Sequence, residues 1–163
     1  MKDYLPIISA VIGFISALVT LFLREWWVDY RTKKKNRRNA LQIANIFLLN
    51  ELRANINEYE RSIINGFGLK DALENDWGGA ESPGGFWNSH YHGFIIKREG
   101  WDRINIDLVR MDFQLAKEIY EIYRRFEILD QSRGKPTSTL KLEDFKGFSD
   151  AYNSLIARLE NAL

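Results

Sequence analysis

His90 and His92 are the only histidines in the 163-residue chain, and they stand as His-Tyr-His. On an extended segment alternate residues point the same way, so both imidazoles could reach one metal ion. Two ligands are too few to hold it. Asp76, Glu81 or Glu99 would have to complete the set, and neither an HExxH pattern nor any other spacing selects a third ligand. The expectation is therefore a pair of loop histidines that titrate near neutral pH, with no metal and no cofactor. The absence of cysteine removes thiol catalysis, disulfides and thiolate-bound zinc. The run GGAESPGG lacks the Gly-Lys-Ser/Thr ending of a phosphate loop, and no serine has a general base at a recognisable spacing. No catalytic residue is assigned, and the chain does not read as an enzyme.

The residues that carry information lie elsewhere. LPIISAVIGFISALVTLFL, residues 5–23, contains no charge. Nineteen helical residues cover about 28 Å, close to the roughly 30 Å hydrocarbon core of a bilayer. Tyr4 at one end and Trp26, Trp27 and Tyr30 at the other suit the headgroup level. Beyond them come Arg31, Lys33, Lys34, Lys35, Arg37 and Arg38, which face lipid headgroups in this reading. The surplus of positive charge on that flank orients the segment with its N-terminus outside and the rest in the cytoplasm. A cleaved signal peptide would carry its charge before a shorter apolar run, so a retained anchor is expected.

Charge is split in the same way. Residues 24–38 carry seven Lys/Arg against two acids, whereas residues 39–163 carry fifteen against nineteen. A nucleic-acid binder spreads basic residues over a folded face, so nucleic acid is not an expected partner. The organisation is then an anchor (1–23), a basic juxtamembrane segment (24–38) and a cytoplasmic helical domain (39–163).

Within the anchor, Ser9, Ala10, Gly13, Ser16, Ala17 and Thr20 fall on one arc about 120° wide at 100° per residue. Small residues let helix backbones approach closely in lipid, and hydroxyls hydrogen-bond across the contact. A homo-oligomer is expected from this face. In a ring of copies the same residues could line a narrow pore or form a dry seam.

The remainder alternates between helical stripes and one interruption. Leu41, Ala44, Leu48, Leu52, Tyr59 and Ile63 share a stripe, so a helix is expected to run to about residue 65. Glu51 and Asn55 are polar residues on or beside that stripe. They suit a register-setting role, or the capping of a neighbouring loop. Residues 66–100 hold eight of the eleven glycines and form an expected insertion loop. Its aromatic residues (Phe67, Trp77, Phe86, Trp87, Tyr91) are either cover for the core or contacts to a cytoplasmic protein partner. Two helices follow. One is marked by Asp112 as N-cap and by Leu115, Ile119, Ile122, Phe126 and Leu129; the other by Phe145, Phe148, Tyr152, Leu155 and Leu159. Three amphipathic helices need one another, which predicts an all-α, small antiparallel bundle behind the anchor, with Trp101 plugging one end.

LLNELRANINEYE, residues 48–60, resembles an E-[LI]-x-x-N pattern found in small single-pass bacterial membrane proteins with a cytoplasmic helical domain. The segments WDRIN and LAKEIYEIYRRFEIL are similar to that group as well. Proteins of this build occur in phage-defence loci, and some assemble as membrane pores. The resemblance implies an oligomeric membrane effector of the bacterial inner membrane. The Arg-to-His spacing of helical ribonucleases from such loci is absent here, because no arginine lies between Arg61 and His90. The other reading is a tethered adaptor that binds a cytoplasmic protein through residues 66–100.

Overall fold

The structure is a computed structural model that describes residues 5–64, 67–74 and 95–162, with side chains from residue 13 onward. Helix α1 (Leu5–Arg61) is a single element of 57 residues. No proline or glycine lies between Gly13 and Gly66, so nothing in this stretch breaks it. It ends at Arg61, earlier than its apolar stripe suggests. The Ser62 hydroxyl turns back to the Glu58 carbonyl at 2.7 Å, and Leu69 N–H then bonds the Ser62 carbonyl at 2.8 Å. Ile63 thereby leaves the helix and is exposed. It belongs to a two-residue antiparallel ladder, β1 (Ile63–Ile64) with β2 (Phe67–Gly68), which pairs Ile63 with Gly68 and Ile64 with Phe67. The short α2 (Leu69–Glu74) follows directly.

After residue 94 the chain returns in a non-helical approach and enters α3 (Glu99–Met111), α4 (Phe113–Gln131) and α5 (Phe148–Glu160). The two expected helices are thus present, preceded by a third. Trp101, Ile104 and Leu108 form the buried stripe of α3. Asp112 ends α3 and caps α4, its carboxylate accepting from Leu115 N–H at 3.0 Å. A single residue therefore turns the corner between two helices.

Contacts fix the directions. Along α1, Arg37, Glu51 and Asn55 meet Asp112, Gly100 and Lys97 of the α3 strand of chain, so α3 runs antiparallel to α1. Asn45 and Glu60 meet Leu159 and Tyr152, so α5 is antiparallel too. Tyr123 and Phe126 of α4 meet Glu51 and Tyr59, which makes α4 parallel to α1. The result is a four-helix up-down-up-down bundle in which the C-terminal part of α1 is the first helix.

The bundle begins at Ala40. Ala40, Ala44, Leu48, Leu52 and Tyr59 are fully buried against the stripes of α3, α4 and α5. At the far end Tyr59, Phe126, Phe145, Phe148 and Tyr152 form an aromatic cluster with ring centroids 5.2–6.5 Å apart. From Gly13 to Lys35 every residue of α1 is exposed.

Candidate functional site: the free half of the first helix

From Gly13 to Lys35 every residue of α1 is exposed, and only near the bundle do Lys33 and Lys34 border other parts of the chain, at clefts shared with Met111 and Phe113 and with Asn161. Phe14, Ile15, Leu18, Val19, Leu21, Phe22 and Leu23 are exposed there, Phe22 to 76 %. Soluble domains do not leave so many large apolar side chains together in water. Thr20 Oγ1 donates to the Ser16 carbonyl at 2.8 Å, so this hydroxyl is satisfied inside the helix and needs neither water nor a partner. Gly13 has open space around it: a Cβ there would meet nothing within 4 Å in the chain. Ser16 and Ala17 are exposed on the same side, and Ser9 belongs to the stretch 5–12 whose side chains lie outside those described.

Where the apolar run stops, pairs of residues one turn apart organise the surface. Trp26 and Tyr30 stack with centroids 6.0 Å apart, and the Arg31 guanidinium lies over the Trp27 ring at 4.6 Å. Lys33 pairs with Asp29 at 2.7 Å. Lys34, Lys35 and Arg38 are exposed, and Arg37 approaches Asp112 at 3.9 Å where the bundle starts. Among the described residues, no helix is long and apolar enough to cross a membrane. The part of the run whose side chains are described is residues 13–23, about 16 Å of helix.

No family model, curated protein or solved structure matches the chain.

Glu51 and Asn55 stand one turn apart on α1 and face the start of α3. The N-cap residue of α3, Arg98, supplies no side-chain cap. Glu51 does so from outside: one oxygen accepts Gly100 N–H at 2.7 Å, the other Trp101 N–H at 3.3 Å, and the Tyr123 hydroxyl donates to it as well. A carboxylate at a helix N-terminus gains from both the unpaired N–H groups and the dipole. Burial, and then the bond to Glu51, pushes the Tyr123 hydroxyl well above its usual range, so it stays a donor. Asn55 is 1 % exposed and pairs with both backbone groups of Lys97, donating at 2.7 Å and accepting at 2.8 Å. Both residues therefore hold the returning chain to α1.

A second polar cluster joins α1, α2 and α5. Glu60 accepts from Tyr152 at 2.6 Å and Lys70 at 3.0 Å, and these bonds hold its carboxyl below the usual range. Burial works against the Lys70 charge, but the bonds to Glu60 and Tyr152 outweigh it and raise its pKa. Glu74 accepts from Tyr59 at 3.0 Å and from Ser149 Oγ at 2.7 Å and N–H at 3.1 Å, which caps α5 from outside. Glu74 and Lys70 carry no signal in a one-dimensional pattern, since their partners lie ten or more residues away. Tyr123 sits next to Ile122 at the edge of the α4 stripe, which is its only trace.

In these clusters burial raises the hydroxyls of Tyr123 and Tyr152 above their usual range, and Glu51 and Glu74 are engaged as caps. Among the described residues, no group of three His, Asp or Glu could hold a metal. His90 and His92 lie outside them, as do Asp76, Glu81 and most of the 66–100 loop.

Proposed function

We propose that the protein is a self-assembling single-pass membrane protein. The apolar half of α1 spans the bacterial inner membrane with its N-terminus outside, and the bundle stands in the cytoplasm. One observation carries this reading. Between Gly13 and Val28, among the described residues, α1 carries large apolar side chains that are exposed and unmatched by any bundle residue. Lipid is the solvent in which such a helix loses nothing, and its backbone is already satisfied internally. The small-residue side, Gly13, Ser16, Ala17 and Thr20 with Ser9, gives copies a surface of close approach. The resemblance around residues 48–60 supports an oligomeric membrane effector, pore-forming in its working state, in anti-phage defence.

Gly13→Ile tests the assembly. Because a side chain at position 13 meets nothing within its own chain, any effect reports a contact with something else. The detergent-solubilised wild type is expected to run as an oligomer by light scattering, and the variant as a monomer with an unchanged bundle. An unchanged particle mass would remove the small-residue side from the assembly.

A second reading is favoured by the anchoring of the 66–100 segment. Glu74 fixes its beginning to α5, and Asn55 and Glu51 fix its end to α1, all in the part of the bundle away from the apolar run. Such a base could present residues 75–94 to a cytoplasmic protein partner. In an adaptor of this kind Gly13→Ile is silent, and deletion of residues 78–92 abolishes partner capture without altering the mass of the particle.

A further inference from the structure

Above the apolar run, the small-residue side of α1 does not stay free. Lys34 and Arg38 stand eighteen residues after Ser16 and Thr20, five turns at about 3.6 residues per turn, and so lie on the same side of the helix. There they border a cleft shared with Asn161 and Ala162 at the end of α5. Continued at about 100° per residue, this side reaches Asn45, Arg53 and Glu60, which bond Leu159, Glu160 and Tyr152 of α5. A left-handed supercoil would turn it by about 20° per heptad, or about 100° between Thr20 and Asn55. It would then meet the buried stripe Leu48, Leu52 and Tyr59, where Tyr59 touches Phe126 of α4. On either path the small-residue side runs into the bundle. The outer side of α1 is a different one. Ile46, Asn50 and Asn57 are exposed there, about 90° or more from the small residues.

We propose that copies of the chain meet above the membrane through the α4–α5 side of the bundle, with the outer side of α1 turned away from the assembly. This rests on the self-association reading above. Because α1 is one unbroken helix, anchor and bundle cannot turn independently about its axis. Copies whose anchors touch along Gly13, Ser16, Ala17 and Thr20 therefore bring α5, and α4 beside it, between their first helices. To make room, each α1 leans outward by about 10 Å, one helix layer, over the roughly 50 Å from Ser16 to Asn50. That is a tilt of about 11°, less than the roughly 20° usual for membrane helices. The α4–α5 side has space for a neighbour. A cleft of about 360 Å³ opens between the two helices, bordered by Lys117, Glu118 and Glu121 of α4 and by Ala151, Ser154 and Arg158 of α5. Its charges are of both signs, and Glu118 is paired with Arg158, so identical copies need not repel one another there. Ile106 and Val109, exposed on α3, mark the rival surface, which this direction of α1 does not turn toward a neighbour.

The chain has no cysteine, so single introduced cysteines report contacts between copies without background. The full-length protein, in membranes of expressing cells, is treated with a short, membrane-permeant thiol-to-thiol cross-linker. Ala17→Cys reports the anchor, Ser154→Cys and Ala157→Cys the α5 surface, Asn57→Cys the outer side of α1 and Val109→Cys the α3 surface. All five positions are exposed, so the substitutions leave the core untouched. The expected result is cross-linked dimer at Ala17 and at one or both α5 positions, in about tenfold excess over Asn57 and Val109, because a thiol held beside its counterpart reacts at a raised effective concentration. Cross-linking at Ala17 with neither α5 position better than Asn57 or Val109 overturns the inference and leaves self-association standing. Any pattern that lacks the Ala17 cross-link removes self-association through the anchor, and this inference with it.

Discussion

Glu51→Ala should cost the bundle about 3–5 kcal/mol, because three donors lose their acceptor at once and each unmet buried donor costs about 1–3 kcal/mol, with incomplete additivity. Gly100 N–H, Trp101 N–H and the Tyr123 hydroxyl all converge on this one carboxylate. Removal also leaves the start of α3 without the negative group that its dipole favours. Domains of this size unfold with only about 5–15 kcal/mol in hand, so the loss takes a large share of the total. The measurement is thermal unfolding of the full chain in detergent, followed by circular dichroism. A fall in Tm of about 10–20 °C is expected at roughly 2–6 °C per kcal/mol. Glu51→Gln keeps one accepting oxygen and should recover part of the loss. A shift under about 2 °C in the alanine variant would show that Glu51 holds nothing together, given that even 1 kcal/mol moves Tm by that much.

Gly100→Ala should be destabilising by about 2–3 kcal/mol, near the top of the usual range for an overpacked core. The sign is what makes it informative. Glycine to alanine within a helix ordinarily gains up to about 1 kcal/mol. Here the added Cβ would sit 2.5 Å from the Phe47 carbonyl oxygen, 3.2 Å from Leu48 Cδ2 and 3.3 Å from Glu51 Oε2. The first of these is backbone, which cannot rotate away. Relief comes only by lifting α3 off α1, and that lengthens the Gly100–Glu51 bond. Gly13→Ala in the same assay is the natural comparison, because its Cβ meets nothing in the chain. A stabilised Gly100→Ala variant would mean that α3 does not cross α1 at this point.

These two variants also show how the bundle was and was not legible in the sequence. All ten apolar residues marked for α4 and α5 are buried, although Phe145 lies before α5, which starts only at Phe148 after the left-handed Gly147. The cap at Asp112 read correctly, being a local device with its acceptor three residues from its donor. Helix α3 did not read as a helix. Its buried stripe is short, Ile106 and Val109 are exposed and blur the periodicity, and it follows directly on a glycine-rich stretch. The partners of Glu51 and Asn55 were not legible either. Both residues could be singled out as polar on or beside an apolar stripe, but what they bind arrives some forty to seventy residues later. Gly100 looked like one more loop glycine, and only the crossing of two backbones gives it a reason.

The free half of α1 differs in kind, since the partners its described residues have are one turn away on the same helix. Its reading rests on what surrounds it. The most direct measurement is alkaline carbonate extraction of membranes from cells that express the full-length protein. The account predicts that the protein remains in the membrane pellet with integral proteins, because only a helix held in the hydrocarbon core survives loss of peripheral contacts. Recovery in the carbonate supernatant, or in the soluble fraction before extraction, would contradict it.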